Sequence, residues 1–135
     1  MKLGFTATRE GMSQRQKDYV VAFLIEFRPT EAHHGLCVGG DEEFHALVRE
    51  HSPNTRIIGH PPKINDLVPE GLTWSCDEVR KPKAYLTRNH DIVDETDEML
   101  ACPKEKKEVL RSGTWATIRY AKKIGKEVTV IYGEN

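Results

Sequence analysis

Two rhythms of apolar positions alternate along this chain. Lys2 to Ala7 reads as a short strand, and Thr8-Arg9-Glu10-Gly11-Met12 as a loop. Ser13 opens a helix, with Gln16 three residues on in a capping-box arrangement. Val20, Phe23, Leu24 and Phe27 follow at helical spacing as one apolar stripe, and Pro29 ends the helix. Ala32 to Val38 is a second strand, and Gly39-Gly40-Asp41 a tight turn. A helix runs from there to about His51 with Phe44, Leu47 and Val48 inward. Ser52-Pro53-Asn54 turns the chain into a third strand, Thr55 to Gly59. Residues 60–84 hold four of the seven prolines and little periodicity, which predicts a long loop of the functional or mobile kind. Tyr85 to Asp94 is a short helix carrying Ile92 and Val93. Glu98 to Ala101 is a fourth strand, ended by Cys102-Pro103, and Lys104 to Arg111 a charged loop or helical turn. Ser112-Gly113-Thr114 opens a last helix with Trp115, Ile118 and Ala121 inward and Gly125 as its C-terminal cap, before a fifth strand, Glu127 to Tyr132.

Strands separated by helices predict an α/β protein, a Rossmann-like three-layer sandwich whose parallel sheet is covered on both faces. Right-handed crossovers leave few topologies, of which the five-stranded order 3-2-1-4-5 is the expectation. That order places the switch point between the first and fourth strands, where ligands bind in such sheets. Residues 1–135 are expected to form one domain, a normal size for one core.

Charge narrows the function classes. The 20 basic and 21 acidic residues argue against a duplex nucleic-acid binder held by bulk charge. No apolar run approaches the roughly 20 residues that span a membrane, and the chain begins on a strand pattern, so a cytoplasmic protein is expected. Cys37, Cys76 and Cys102 are far apart and form no CxxC pair, which indicates free thiols. Cys37 and Cys102 fall inside apolar strand patterns and are expected as buried small hydrophobes. No metal site and no cofactor are expected. His33 and His34 are adjacent on a strand and point to opposite faces, and Asp41 and His45 share a helical face without an identifiable third ligand.

Polar and glycine-rich residues gather where the strands end. Thr6, Thr8 and Arg9 follow the first strand, Gly39, Gly40 and Asp41 the second, and Ser112, Gly113 and Thr114 stand at a helix start beyond the fourth. A helix N-terminus presents unpaired N–H groups and a positive dipole end, which suits a phosphate. Ser112-Gly113-Thr114 therefore reads either as ordinary capping or as an anion site. Arg9 and Arg88 are candidate anion clamps. Asn89 is a candidate for a base or ribose, and Asp41 either contacts a ribose hydroxyl or caps its helix. Trp115 reads as packing.

In order along the chain, Gly4-Phe5-Thr6-Ala7-Thr8-Arg9, then His34-Gly35-Leu36-Cys37-Val38-Gly39-Gly40-Asp41 with His45, Arg88-Asn89 before Ile92-Val93-Asp94, and Arg111-Ser112-Gly113-Thr114-Trp115-Ala116-Thr117 form a series. This series resembles the SLOG superfamily, which joins the DNA-processing protein A family to the LOG-type phosphoribohydrolases. The resemblance implies a Rossmann-like fold, a nucleotide-type ligand and assembly as dimers or larger oligomers. LOG-type hydrolases carry a PGGxGTxxE turn whose glutamate serves N-glycosidic cleavage. Here the glutamate position is Thr117, which cannot supply a carboxylate.

Three functions follow as expectations. The first is a module that binds a nucleotide or nucleotide-derived phosphate ligand, to sense, carry or sequester it. The second is an N-glycosidic hydrolase or transferase acting on nucleoside monophosphates, its carboxylate drawn from Glu10, Asp41, Asp94 or Asp97. The third is single-stranded nucleic-acid binding through Arg80, Lys81 and Lys83 with Trp74 and Tyr85 nearby.

Overall fold

The computed structural model describes residues 1–134. Its centre is a parallel sheet built from β1 (Lys2–Ala7), β2 (Glu31–His34), β3 (Arg56–Gly59), β4 (Glu78–Val79), β5 (Glu98–Cys102) and β6 (Glu127–Val130). The helices between them are α1 (Gln14–Phe27), α2 (Gly40–His51), α3 (Tyr85–Glu95) and α4 (Gly113–Lys123). The strand order is β4-β3-β2-β1-β5-β6. The expected order is correct for the strands it contains, but the sheet has six strands rather than five. The extra one, β4, lies inside the proline-rich 60–84 stretch and pairs with β3 through Ile58–Glu78 and Gly59–Val79. An exposed two-residue edge strand leaves no alternation to read.

Helices α1 and α2 pack on one face of the sheet and α3 and α4 on the other. The first face buries Val20, Leu24, Phe44 and Val48 on Leu3, Phe5, Ile57 and Leu100. The second buries Ile92, Val93, Trp115, Ile118 and Ala121 on Met99 and Ala101. Phe27, at the end of the α1 stripe, is exposed, and Leu47 is only partly buried. Ser13 caps α1 as expected, its Oγ accepting from Gln16 N at 3.2 Å while Gln16 Oε1 accepts from Ser13 N at 2.9 Å. The Gln16 amide is also buried, and its Nε2 donates to the carbonyls of Pro103 (2.9 Å) and Ile131 (2.8 Å). One capping residue thus ties α1 to the exits of β5 and β6.

Strand β2 stops at His34, four residues short of the expected Val38. Leu36 takes a left-handed φ of 58°, and the Gly35 and Cys37 N–H groups turn to the Asp41 carboxylate at 3.1 and 3.2 Å. Cys37 therefore lies half-buried in a loop, not in a strand, whereas Cys102 is fully buried. The expected Gly39-Gly40-Asp41 turn is the start of α2, with Gly39 as its N-cap. Strand β6 ends at Val130, short of Tyr132. No described helix is long and apolar enough to cross a membrane.

The rings of Phe5 and Phe44 stack in parallel with centroids 4.1 Å apart and join β1 to the first turn of α2. Truncating a buried aromatic leaves a cavity that a close-packed interior cannot refill. Phe44→Ala is expected to lower unfolding stability by about 3–5 kcal/mol, measured as the shift of a urea denaturation midpoint at unchanged slope.

Candidate functional site

After β3 and β4 the chain crosses by α3 to the other side of β1, so the loops after β1 and β5 diverge and leave a crevice. A cavity of about 470 Å³ opens there, within the usual range for small-molecule sites. Thr6, Thr8, Arg9, Asp41, Arg88, Asn89, Ser112, Gly113 and Thr114 all line it. Gly39 and Gly40 do not. They lie beneath the loop after β1, where a Cβ on Gly39 would come within 2.1 Å of the Arg9 carbonyl oxygen and one on Gly40 within 2.3 Å of the Ala7 Cβ. Gly39 also has a φ of 84°. The glycine pair lets α2 start against the backbone that carries Arg9.

One wall is the N-terminus of α4. Ser112 is its N-cap, and the Ser112 Oγ accepts from Trp115 N at 3.3 Å. The N–H groups of Gly113 and Thr114 meet no acceptor among the described residues. Thr117, at the glutamate position of the LOG-type turn, is buried, and its hydroxyl donates to the Gly113 carbonyl at 2.9 Å. Trp115 is buried packing, with its Nε1 donating to Glu105 at 3.2 Å.

Arginines supply the cationic part. Arg9 and Arg111 line the cavity and form no ion pair among the described residues. Arg88 is buried, and its Nη1 donates to the carbonyls of Gly35 and His60 while its Nε donates to Asn89 Oδ1 at 2.8 Å. Arg88 is thus first a brace between α3 and the ends of β2 and β3, with Nη2 left uncommitted. Tyr85 went unassigned as a cavity residue in the sequence. Its ring lies 5.6 Å from the Arg9 guanidinium carbon and 5.2 Å from that of Arg88. The signal available was its helical i, i+3 spacing to Arg88.

Three carboxylates reach the cavity. Glu10 is paired with Lys104 at 2.7 Å, and Glu105 holds Trp115. Asp41 is the buried one. Its Oδ2 takes the two loop N–H groups, and its Oδ1 accepts nothing among the described residues. Burial raises the Asp41 carboxyl to about 6, with Arg88 and the two backbone donors opposing. Burial, seconded by Asp41, also raises the Cys37 thiol, which stays protonated at neutral pH. Asp94 and Asp97 lie elsewhere. Asp94 accepts from the Tyr120 hydroxyl, and Asp97 accepts from Lys2 N at the opposite end of β1.

Of the basic stretch after residue 79, Arg80 pairs with Glu95 and Glu78, and Lys83 with Asp91, while Trp74 is 92% exposed. Histidines gather in two clusters. Third ligand-type side chains are present, Cys76 beside His34 and His45, and Glu95 beside His33 and His60.

No family model matches the sequence, and no curated protein matches it. Among solved structures, DNA processing protein A from Streptococcus pneumoniae is similar at a TM-score of 0.70 and 18% identity, over 96% of this chain and 49% of that one. The structural-genomics target TM1055 is similar at 0.63 and 17%, over 95% of this chain and 72% of that one. The chain shares its fold with both proteins. The Rossmann-like architecture implied by the SLOG resemblance is therefore the one observed, and the chain spans about half the length of DNA processing protein A.

The buried Asp41 gives the site a pH signature. Its folded pKa lies above the unfolded one, so between about pH 4 and pH 6 the folded chain keeps a proton that the unfolded chain releases. Stability falls as pH rises through that window, by up to about 3 kcal/mol, and is flat above it with respect to this group. Asp41→Asn is expected to lose that slope, read from denaturation free energies at pH 4, 5, 6 and 7.

Proposed function

We propose that the cavity binds a nucleotide or nucleotide-derived phosphate ligand, with its phosphate on the N-terminus of α4. The observation that carries this reading is the convergence of uncommitted donors on one crevice. Among the described residues the Gly113 and Thr114 N–H groups meet no acceptor, and Arg9 and Arg111, which also line it, form no ion pair. A helix N-terminus with a guanidinium beside it holds a phosphate dianion by charge-assisted hydrogen bonds. The Tyr85 ring and the Asn89 amide provide a flat surface and a polar edge for the rest of the ligand. The absence of a carboxylate at Thr117 favours a module that senses, carries or sequesters its ligand.

A second reading rests on Asp41. A cavity carboxyl raised to about 6 has the proton affinity of a general acid–base group near neutral pH. It supports N-glycosidic cleavage of a nucleoside monophosphate with Asp41, not Thr117, providing the carboxylate. Free base released from such substrates and lost in Asp41→Asn would establish it. Release that persists in that variant would remove this mechanism.

The binding reading is tested at the helix start. Ser112 has φ −76° and ψ 129°, compatible with a following proline, and a Cβ on Gly113 meets nothing closer than 4.0 Å. Proline is tolerated at a first helical position, so Gly113→Pro deletes one donor and leaves α4 in place. Screening nucleoside mono- and diphosphates by thermal shift and native mass spectrometry is expected to find a ligand. Its affinity should fall at least tenfold in Gly113→Pro and ten- to a hundredfold in Arg9→Ala, at about 1.5–3 kcal/mol per charged contact. Equal affinity in Gly113→Pro and wild type would overturn the placement of the phosphate.

A further inference from the structure

Each face of the sheet buries a histidine pair, and the placement of protons distinguishes the two. On the α1/α2 side, Leu36 N–H donates to His34 Nδ1 at 3.0 Å. A neutral imidazole that accepts at Nδ1 carries its proton on Nε2. His34 Nε2 then donates to His45 Nδ1 at 2.9 Å, and His45 Nε2 to Ser75 Oγ at 2.8 Å. The chain of donors and acceptors closes. Although Cys76 lies near, a metal on His34 Nε2 would require an imidazolate.

The other pair does not close. His33 Nε2 donates to Glu31 Oε1 at 2.8 Å, so neutral His33 accepts at Nδ1, and its donor is His60 Nε2 at 2.8 Å. His60 Nδ1 is thereby left as an acceptor, and it faces Glu95 Oε2 at 3.9 Å. Arg80 does not satisfy that oxygen, because its Nε (2.9 Å) and Nη2 (2.8 Å) both address Glu95 Oε1. Two acceptors therefore confront each other with no protein donor between them among the described residues. His33 and His60 are 1% and 2% exposed, while Glu95 is one-third exposed and gives access from solvent.

We infer that His60, Glu95 and His33 form a site for a divalent cation of the zinc type. The three offer one ligand atom each, all within 4.8 Å of one another. Two imidazoles and a carboxylate, with a fourth position for water, are a common zinc donor set. For His33 and His60 to hold one ion, the ion takes the place of the proton their rings share at 2.8 Å, with bonds of roughly 2.0–2.1 Å to His33 Nδ1 and His60 Nε2, and the His60 proton moves to Nδ1, where it faces Glu95 instead of leaving two acceptors opposed. Glu31 on the far nitrogen of His33 is the outer-shell carboxylate that orients a ligating imidazole. Arg80, neutralised by Glu95 and Glu78, holds the ligand carboxylate in place. A bound ion would join β2, the end of β3 and the end of α3. It would also border the nucleotide cavity, since Arg88 Nη1 holds the His60 carbonyl at 3.1 Å.

The test uses the full chain, stripped with a chelator and titrated with Co²⁺ and then Zn²⁺. Stoichiometric Co²⁺ uptake is expected, with a ligand-field absorption of low coordination number that Zn²⁺ abolishes, and a higher melting temperature with Zn²⁺. Glu95→Gln, at a partly exposed position, should fold normally and weaken uptake at least tenfold, and Cys76→Ser should leave it unchanged. Absence of stoichiometric uptake would overturn the site. So would uptake that survives Glu95→Gln, or that disappears in Cys76→Ser and thereby places the ion at His34 and His45.

Discussion

Gly35 is gripped from both faces of the sheet, and the geometry of the cavity depends on that grip. Its N–H donates to Asp41 at the start of α2, and its carbonyl accepts from Arg88 on α3. These helices cover opposite faces, so one residue at the end of β2 fixes both layers relative to the sheet edge. A side chain there would displace the Arg88 guanidinium, because a Cβ would lie 2.6 Å from Arg88 Nη1 and 3.1 Å from Asp41 Oδ2. The two buried groups replace lost hydration in different ways. Asp41 takes two backbone donors, and Arg88 gives to two backbone carbonyls and Asn89. Burial on this scale is tolerable only when each polar atom has a partner. The atoms that do not, Asp41 Oδ1 and Arg88 Nη2, belong to residues that line the cavity.

Much of this layout is legible in the sequence because it rests on local periodicity. The α1 stripe, the Ser13–Gln16 capping box and the βα alternation each need only a few neighbouring residues, and they suffice for strand order around β1. What escapes is set by distant partners. The early end of β2 follows from Asp41 reaching back to Gly35 and Cys37, where the apolar run Leu36-Cys37-Val38 reads as continued strand. Strand β4 exists only because Ile58 and Gly59 offer an edge to two exposed residues. The role of Gly39 and Gly40 is similar. The sequence groups them with the residues at the strand ends, and they serve close approach, but to the Arg9 backbone and Ala7 and not to the cavity.

The histidines illustrate the same division. Opposite faces for His33 and His34 follow from strand geometry alone. Their partners do not, because His60, Glu95 and Cys76 come from the proline-rich stretch and from α3, where spacing along the chain carries no ligand pattern. Two buried pairs of the same residue type then differ in their outer partners, the Leu36 N–H on His34 Nδ1 in one and the Glu31 carboxylate on His33 Nε2 in the other. Both strand histidines carry the proton on Nε2, but His34 donates it to its partner ring while His33 gives it to Glu31 and accepts from His60, so only the second pair retains an open acceptor.

Thr117 bears on the charge of the crevice wall at the start of α4. The PGGxGTxxE turn of the LOG-type hydrolases carries a glutamate three residues after its threonine. Here a hydroxyl occupies that position and turns inward to the Gly113 carbonyl, leaving the first turn of α4 with no acidic residue. The positive end of the helix dipole is then compensated by no carboxylate of its own turn. On the proposed reading of the site, the lack of a charge there favours holding a phosphate and leaves no carboxylate at this position for N-glycosidic cleavage. Asp41 is the buried carboxyl that the cavity does contain. It stands on the opposite wall of the cavity, and its raised proton affinity makes its charge, unlike that of an exposed glutamate, adjustable near the pH at which a phosphate itself gains its second negative charge.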